Sequence, residues 1–251
     1  MKFRVIPVIL TDGTTVVKGT SFNNWRTVGS AEATSRLFAA RDVDELVFLD
    51  VGARNKGKAI DMDLVKKFSN QLSIPFAVGG GIDDFDTATL CLRNGAEKII
   101  LGTSAFRKPE LITKLSETFG AQAVVVTIDV LQLGSKEFAI NSGREIITSE
   151  SSLEFAHRVQ DLGAGEIILQ CISQDGSQLG YDLDNIRLFV NELTVPIIAG
   201  SGAGGTEDFE NAFLLGAAGG AAGALFQFTQ TTPKEIREDL RSRGVPVRRS
   251  S

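Results

Sequence analysis

Ile74-Pro75-Phe76-Ala77-Val78-Gly79-Gly80-Gly81 recurs 121 residues on (195 against 74) as Val195-Pro196-Ile197-Ile198-Ala199-Gly200-Ser201-Gly202. Each copy is a short apolar run, too short for a helix, broken by consecutive glycines. That is the form of a fully buried strand ending in a tight turn. A second pair keeps the same offset: Asp44-Glu45-Leu46-Val47-Phe48-Leu49 and Gly165-Glu166-Ile167-Ile168-Leu169-Gln170. Asp84-Phe85-Asp86-Thr87-Ala88 resembles Asp208-Phe209-Glu210-Asn211-Ala212, just beyond each glycine turn. The chain therefore reads as two similar halves, about 1–121 and 122–251, each holding several strand–turn–helix units.

Working outward, strand-like runs fall at 4–10, 45–50, 75–78, 98–101, 123–129, 166–170, 196–199 and 221–225. Helical spacing alternates with them near 31–40, 61–72, 85–95, 109–119, 151–162, 183–192, 207–216 and 233–243. Asp84 and Thr206 stand where N-caps belong. Eight such pairs with continuously apolar strands predict a parallel sheet covered by helices. The chain has 251 residues, close to the length of a closed (β/α)8 TIM barrel, and no linker divides it. A single barrel domain over 1–251, made of two half-barrels, is the economical architecture; a doubly wound open sheet is the runner-up.

Composition narrows the chemistry. The net charge of −5 argues against nucleic acid or an anionic membrane surface as partner. His157 is the only histidine, which excludes a metal site built on several histidines, so no metal and no cofactor are expected. Cys91 and Cys171 read more readily as small buried hydrophobes than as a nucleophile or a disulfide. The N-terminus lacks a signal-peptide pattern and no apolar run reaches the ~20 residues of a membrane span, so a cytoplasmic location is expected.

In such a barrel the chemistry belongs on the loops after the strand C-termini, where backbone N–H groups at helix starts take up phosphate. Gly79–Gly81 and Gly200–Gly205 end strands three and seven, Gly102-Thr103 follows strand four, and Gly223-Ala224 ends strand eight. One glycine turn alone means little; two pairs on opposite sides suggest an elongated ligand with two phosphates or similar anions. Asp129 at the end of strand five is a candidate general acid or base. Asp50 and Asp175-Gly176 could serve there too, or merely order their loops. At the opposite ends the strands open with Arg4, Glu45, Lys98 and Glu166. These are either solvated strand ends or, facing inward, a neutral ring of two cations and two anions that gates the floor.

Together these residues resemble the cyclase subunit of imidazole glycerol phosphate synthase, the barrel partner of a glutamine amidotransferase in histidine biosynthesis. The resemblance runs from Arg4 to about Arg248. It rests on Val16-Val17-Lys18-Gly19-Thr20, the stretches 44–50, 78–82, 122–129 and 163–167, Asp175-Gly176, Gly180-Tyr181-Asp182 and Phe226-Gln227-Phe228. It implies that a glutaminase (class I amidotransferase) subunit docks at the N-terminal face. It implies that Arg4, Glu45, Lys98 and Glu166 gate ammonia through the floor. At the top, a bis-phosphorylated ribulosyl aminoimidazole would meet Asp129 as acid/base and Lys18 as loop cation. Asp50, Gly81, Gly102, Thr103, Asp175, Gly176, Gly202, Gly223 and Ala224 would surround its phosphates. The sequence departs from the family pattern at three of these places. Leu10 stands where a first catalytic aspartate belongs, Gly102 replaces an asparagine, and Ala224 replaces a serine. A divergent branch, which serves amidation of surface-polysaccharide sugars, shares the leucine. For that branch the resemblance implies an ammonia conduit rather than a cyclase. A third possibility, an isomerase on the neighbouring barrel of the same pathway, would want acids at the ends of strands one and five, and Leu10 counts against it.

Overall fold

A computed structural model describes residues 2–41, 43–55, 57–133, 136–140 and 150–248. Its strands are β1 (Arg4–Asp12), β2 (Thr15–Thr20), β3 (Asn23–Ser30), β4 (Leu46–Asp50), β5 (Phe76–Gly79), β6 (Lys98–Leu101), β7 (Val124–Leu133), β8 (Lys136–Ile140), β9 (Glu166–Cys171), β10 (Ile197–Gly200) and β11 (Gly219–Ala222). Eight of them pair in parallel in the order β1-β4-β5-β6-β7-β9-β10-β11. Arg4 pairs with Gly219 and Pro7 with Ala222, which brings β11 back onto β1 and closes a (β/α)8 TIM barrel. Closure leaves the barrel itself without an edge strand.

The period-2 alternation of the strands sorts their side chains into two cores. Outward residues such as Val5, Phe48, Val78 and Ile167 pack with the surrounding helices. Inward, Ile6, Val47, Ala77, Ile100, Val125, Ile168, Ile198 and Ala221, one from each barrel strand, form a separate apolar layer across the lumen. This apolar layer separates the floor of the barrel from its mouth, as the side-chain layers of such barrels do.

The helices lie close to their expected ranges, among them Ala31–Ala40, Leu183–Glu192 and Pro233–Ser242. Asp84 caps the helix Phe85–Arg93 as expected, accepting from Thr87 N at 2.7 Å. Thr206 does not cap: Gly205 holds that position, and Asp208 reaches back to accept from the Gly204 and Gly205 N–H groups. The acidic third residue thus does the work assigned to the hydroxyl. Cys91 and Cys171 are free and buried, and burial pushes the Cys91 thiol up to about 12.

Three expectations are corrected. The last barrel strand is Gly219–Ala222, not 221–225, because small residues let β11 pass between β10 and β1. Gly223 and Ala224 accordingly are not a strand end; they are the N-cap and first residue of a short helix, Ala224–Phe228. Two strands also outrun the barrel. β1 continues to Asp12, turns and pairs with β2, which pairs in turn with β3. β7 continues past Asp129 to Leu133 and pairs with β8.

Candidate active site

Adding two residues at a time along a barrel strand moves about 6.6 Å up the lumen face. Arg4, Ile6, Val8 and Leu10 climb β1 in this way, as do Glu45, Val47 and Leu49 beside β4. On the other strands the same steps read Lys98-Ile100-Gly102, Val125-Thr127-Asp129 and Glu166-Ile168-Gln170. Charges therefore start the ladder at the floor, the apolar layer crosses the middle, and the mouth receives Leu10 and Leu49 on one side and Gly102, Asp129 and Gln170 from the other strands.

At the floor the four charges meet. Arg4 Nη1 lies 2.8 Å from Glu45 Oε2, and Arg4 Nη2 lies 2.7 Å from Glu166 Oε2. Lys98 Nζ lies 2.8 Å from Glu45 Oε1 and 3.4 Å from Glu166 Oε2. Each cation touches both anions, so the ring is alternating, closed and neutral. Burial pulls the Arg4 guanidinium down, but Glu166 and Glu45 outweigh it and its pKa is raised. Solvated strand ends are thereby ruled out as a description of these four residues. Behind the ring, buried Arg237 and the tail residue Arg248 both grip Asp44, which also accepts from Val5 N.

At the mouth a cavity of about 190 Å³ opens to solvent. Of the site residues expected there, it gathers Lys18, Asp50, Gly81, Gly102, Thr103, Asp129, Asp175, Gly176, Gly202, Gly223 and Ala224. Leu10 lines it too, with its aliphatic side chain on the lumen face where a carboxylate was expected.

The glycine turns hold conformations that a side chain would disturb. Gly81 has φ +66 and Gly202 φ +102, and a Cβ on either would come within 2.4 Å of the Lys58 carbonyl or 2.1 Å of the Gly180 carbonyl. Gly180 N in turn donates to Gly202 O at 2.8 Å, which ties the loop after β9 to the turn after β10. Tyr181 adds a second tie, donating to Ala221 O.

Asp129 stands mid-strand, opposite Gln170 in the ladder. Its Oδ1 accepts from Gln170 Nε2 at 3.1 Å and from Thr127 Oγ1 at 3.3 Å, and Gln170 also donates to Thr127 at 2.9 Å. An amide and a hydroxyl thus hold the carboxylate's orientation. Neither partner was singled out from the sequence, although both lie at i±2 or cross-strand positions on the face that carries Asp129.

The other two carboxylates order their surroundings. Asp50 accepts from the Gly52 and Ala53 N–H groups at 3.0 Å each, capping the short helix Val51–Asn55. Burial raises its pKa while those bonds oppose the rise. Asp175 accepts from Phe22 N through its carboxylate and from Ser21 N through its main-chain carbonyl. Ser21 and Phe22 are the two central residues of the β2–β3 turn and both have positive φ, 48° and 55°. Non-glycine residues reach that region only when something holds them there, and Asp175 does so.

Lys18, on β2, is only 5% exposed. Its Nζ reaches across the mouth to the Gly223 backbone, so near that a Cβ on Gly223 would fall 1.9 Å from it. Burial lowers its pKa to about 8, against the opposing pull of Asp175. An amine so placed is a cation that anion binding would stabilise further.

A family model for histidine biosynthesis proteins matches residues 4–232. The chain belongs to the histidine biosynthesis protein family. Among its relatives in that family are three proteins named imidazole glycerol phosphate synthase subunit HisF. The one from Chlorobium phaeobacteroides (strain DSM 266) is 38% identical over 246 residues, covering 98% of each chain. The one from Thermotoga sp. (strain RQ2) is 40% identical over 233 residues, covering 93% of this chain and 92% of its own. The one from Streptomyces avermitilis is 38% identical over 247 residues, again covering 98% of both. The family match spans both ends of the barrel, the floor ring and the glycine turns alike.

Proposed function

We propose that this chain is the ammonia-using cyclase subunit of an imidazole glycerol phosphate synthase. A glutaminase subunit seated on the N-terminal face releases ammonia beneath the floor ring of Arg4, Glu45, Lys98 and Glu166. The ammonia crosses the lumen and meets a bis-phosphorylated ribulosyl aminoimidazole at the mouth. The products are imidazole glycerol phosphate and 5-aminoimidazole-4-carboxamide ribonucleotide. The observation that carries this reading is the pairing of a closed, neutral ion ring at one end of the barrel with a two-sided glycine cradle at the other. A simple sugar-phosphate enzyme has use for the second and none for the first.

In this reading Gly81, Gly102 and Thr103 take one phosphate through main-chain N–H groups, and Gly176, Gly202, Gly223 and Ala224 take the other. Lys18 neutralises charge on the second side. Asp129, held by Gln170 and Thr127, moves protons during ring closure. Asp50 and Asp175 shape the two phosphate loops rather than touch the anions, since their carboxylates already accept main-chain N–H groups.

Leu10 favours a second reading, in which the barrel conducts ammonia toward amidation of a surface-polysaccharide sugar. Loss of one carboxylate from an acid/base pair forfeits about 10²–10⁴ in rate. Incubating the purified protein with the ribulosyl aminoimidazole bisphosphate and ammonium salt, without any partner, separates the two. Formation of imidazole glycerol phosphate, raised at least about 10²-fold by Leu10→Asp, is the expected result. No turnover in either protein refutes the cyclase and leaves the conduit.

A further inference from the structure

The chain has one tryptophan, Trp25 on β3, and it lines the cavity while remaining 40% exposed. Exposure of a large aromatic ring is ordinary on an open surface, but here three features fix where the ring sits. The edge of the indole lies against Gly19, where a Cβ would come 3.1 Å from Trp25 Cε3. The next residue, Arg26, stacks its guanidinium 4.5 Å above the Phe228 ring, which pins β3 to the helix Ala224–Phe228. At the other end, Asp175 holds the left-handed turn residues Ser21 and Phe22. The hairpin is thus fastened on both sides of Trp25, whose part-exposed indole lines a cavity walled by glycine turns, aliphatic side chains and polar groups such as Lys18, Asp129 and Gln170.

We infer that the indole of Trp25 is a stacking shelf for the planar heteroaromatic part of a phosphorylated ligand. It makes the cavity select a ring-bearing ribonucleotide over a simple sugar phosphate. This rests on the reading of the cavity as an anion site and adds to it the ligand's second recognition element. Glycine turns distinguish an anion from a neutral molecule and cannot tell one phosphate ester from another. An aromatic face supplies that distinction, because stacking rewards any flat π-system and a sugar has none.

The test uses two probes that share a ribose phosphate, 5-aminoimidazole-4-carboxamide ribonucleotide and ribose 5-phosphate. Titration of the wild-type protein with the ribonucleotide quenches the single tryptophan emission, and ribose 5-phosphate leaves it unchanged. By calorimetry, Trp25→Leu weakens the ribonucleotide about tenfold or more. It leaves ribose 5-phosphate within about twofold, and Trp25→Phe recovers most of the loss. An unchanged ratio of the two affinities in Trp25→Leu overturns the shelf alone. Failure of wild-type protein to bind either probe overturns the anion site and the shelf together.

Discussion

Lys98→Met opens the floor ring, and the geometry says how. Lys98 bridges both carboxylates; without it Arg4 alone must balance Glu45 and Glu166, and a neutral ring becomes one of charge −1. The carboxylates keep only 6% and 11% of their side-chain surface in water, while Arg4 and Lys98 keep 21% and 17%. Removing one partner from a fully buried pair costs 3–5 kcal/mol, and this partial exposure points to the low end, about 3 kcal/mol. For a chain of this size that lowers Tm by about 6–12 °C. Glu45→Gln alone has the opposite charge error and a similar cost. The double variant Lys98→Met/Glu45→Gln is neutral again and keeps the two-pronged Arg4–Glu166 contact, whose distances are 2.7 and 3.4 Å. It should therefore be more stable than the sum of the two single losses by at least about 1 kcal/mol. Thermal unfolding followed by far-UV circular dichroism at constant pH and salt measures all four proteins. Additivity within about 0.5 kcal/mol would refute the ring as one coupled unit.

Lys18 gives a pH signature. Below pH ~8 its amine is charged in both states, and the folded chain bears the full cost of burying it; from about 8 to the free value of 10.5 the folded state sheds the proton first. Stability contributed by this group therefore rises with pH across that window, by up to about 3 kcal/mol, and Lys18→Met should flatten the rise; parallel stability–pH curves for the two proteins would contradict this. Phosphate affinity should fall over the same window as the cation disappears, measured by calorimetry. Gly223→Ala puts a methyl group where the Lys18 amine sits, so a flexible tip must move, while the Val8 carbonyl at 3.2 Å needs to give only slightly. It should leave Tm within about 3 °C while weakening phosphate binding several-fold. Gly202→Ala, by contrast, meets a fixed carbonyl at 2.1 Å in a left-handed backbone, and a loss of about 2 kcal/mol, or 4–8 °C in Tm, is expected.

Much of the site was legible because barrel symmetry concentrates it. Repeated apolar runs with trailing glycines placed the glycine turns at the mouth, and charges immediately before such runs placed the floor ring. What escaped was carried by contacts between distant segments. Asp12-Gly13, a turn dipeptide flanked by β-branched residues, signalled the turn from β1 into β2, which leads on to the β2–β3 hairpin. Nothing local shows that Asp175, more than 150 residues later, holds its tip. The partners of Asp129 were likewise hidden, since Gln170 becomes its neighbour only through the β7–β9 register.

By itself the sequence determined the barrel, its strand and helix order, the glycine turns and the presence of four balancing charges. Each of these follows from local periodicity, turn chemistry or chain length. Only the tertiary structure decided that the four charges alternate around one ring, that Asp50 and Asp175 brace loops, and that Lys18 lies buried over Gly223. The physical reason is that hydrogen bonds, ion pairs and burial act over a few ångströms between residues far apart in the chain. Strand register and barrel closure set those distances.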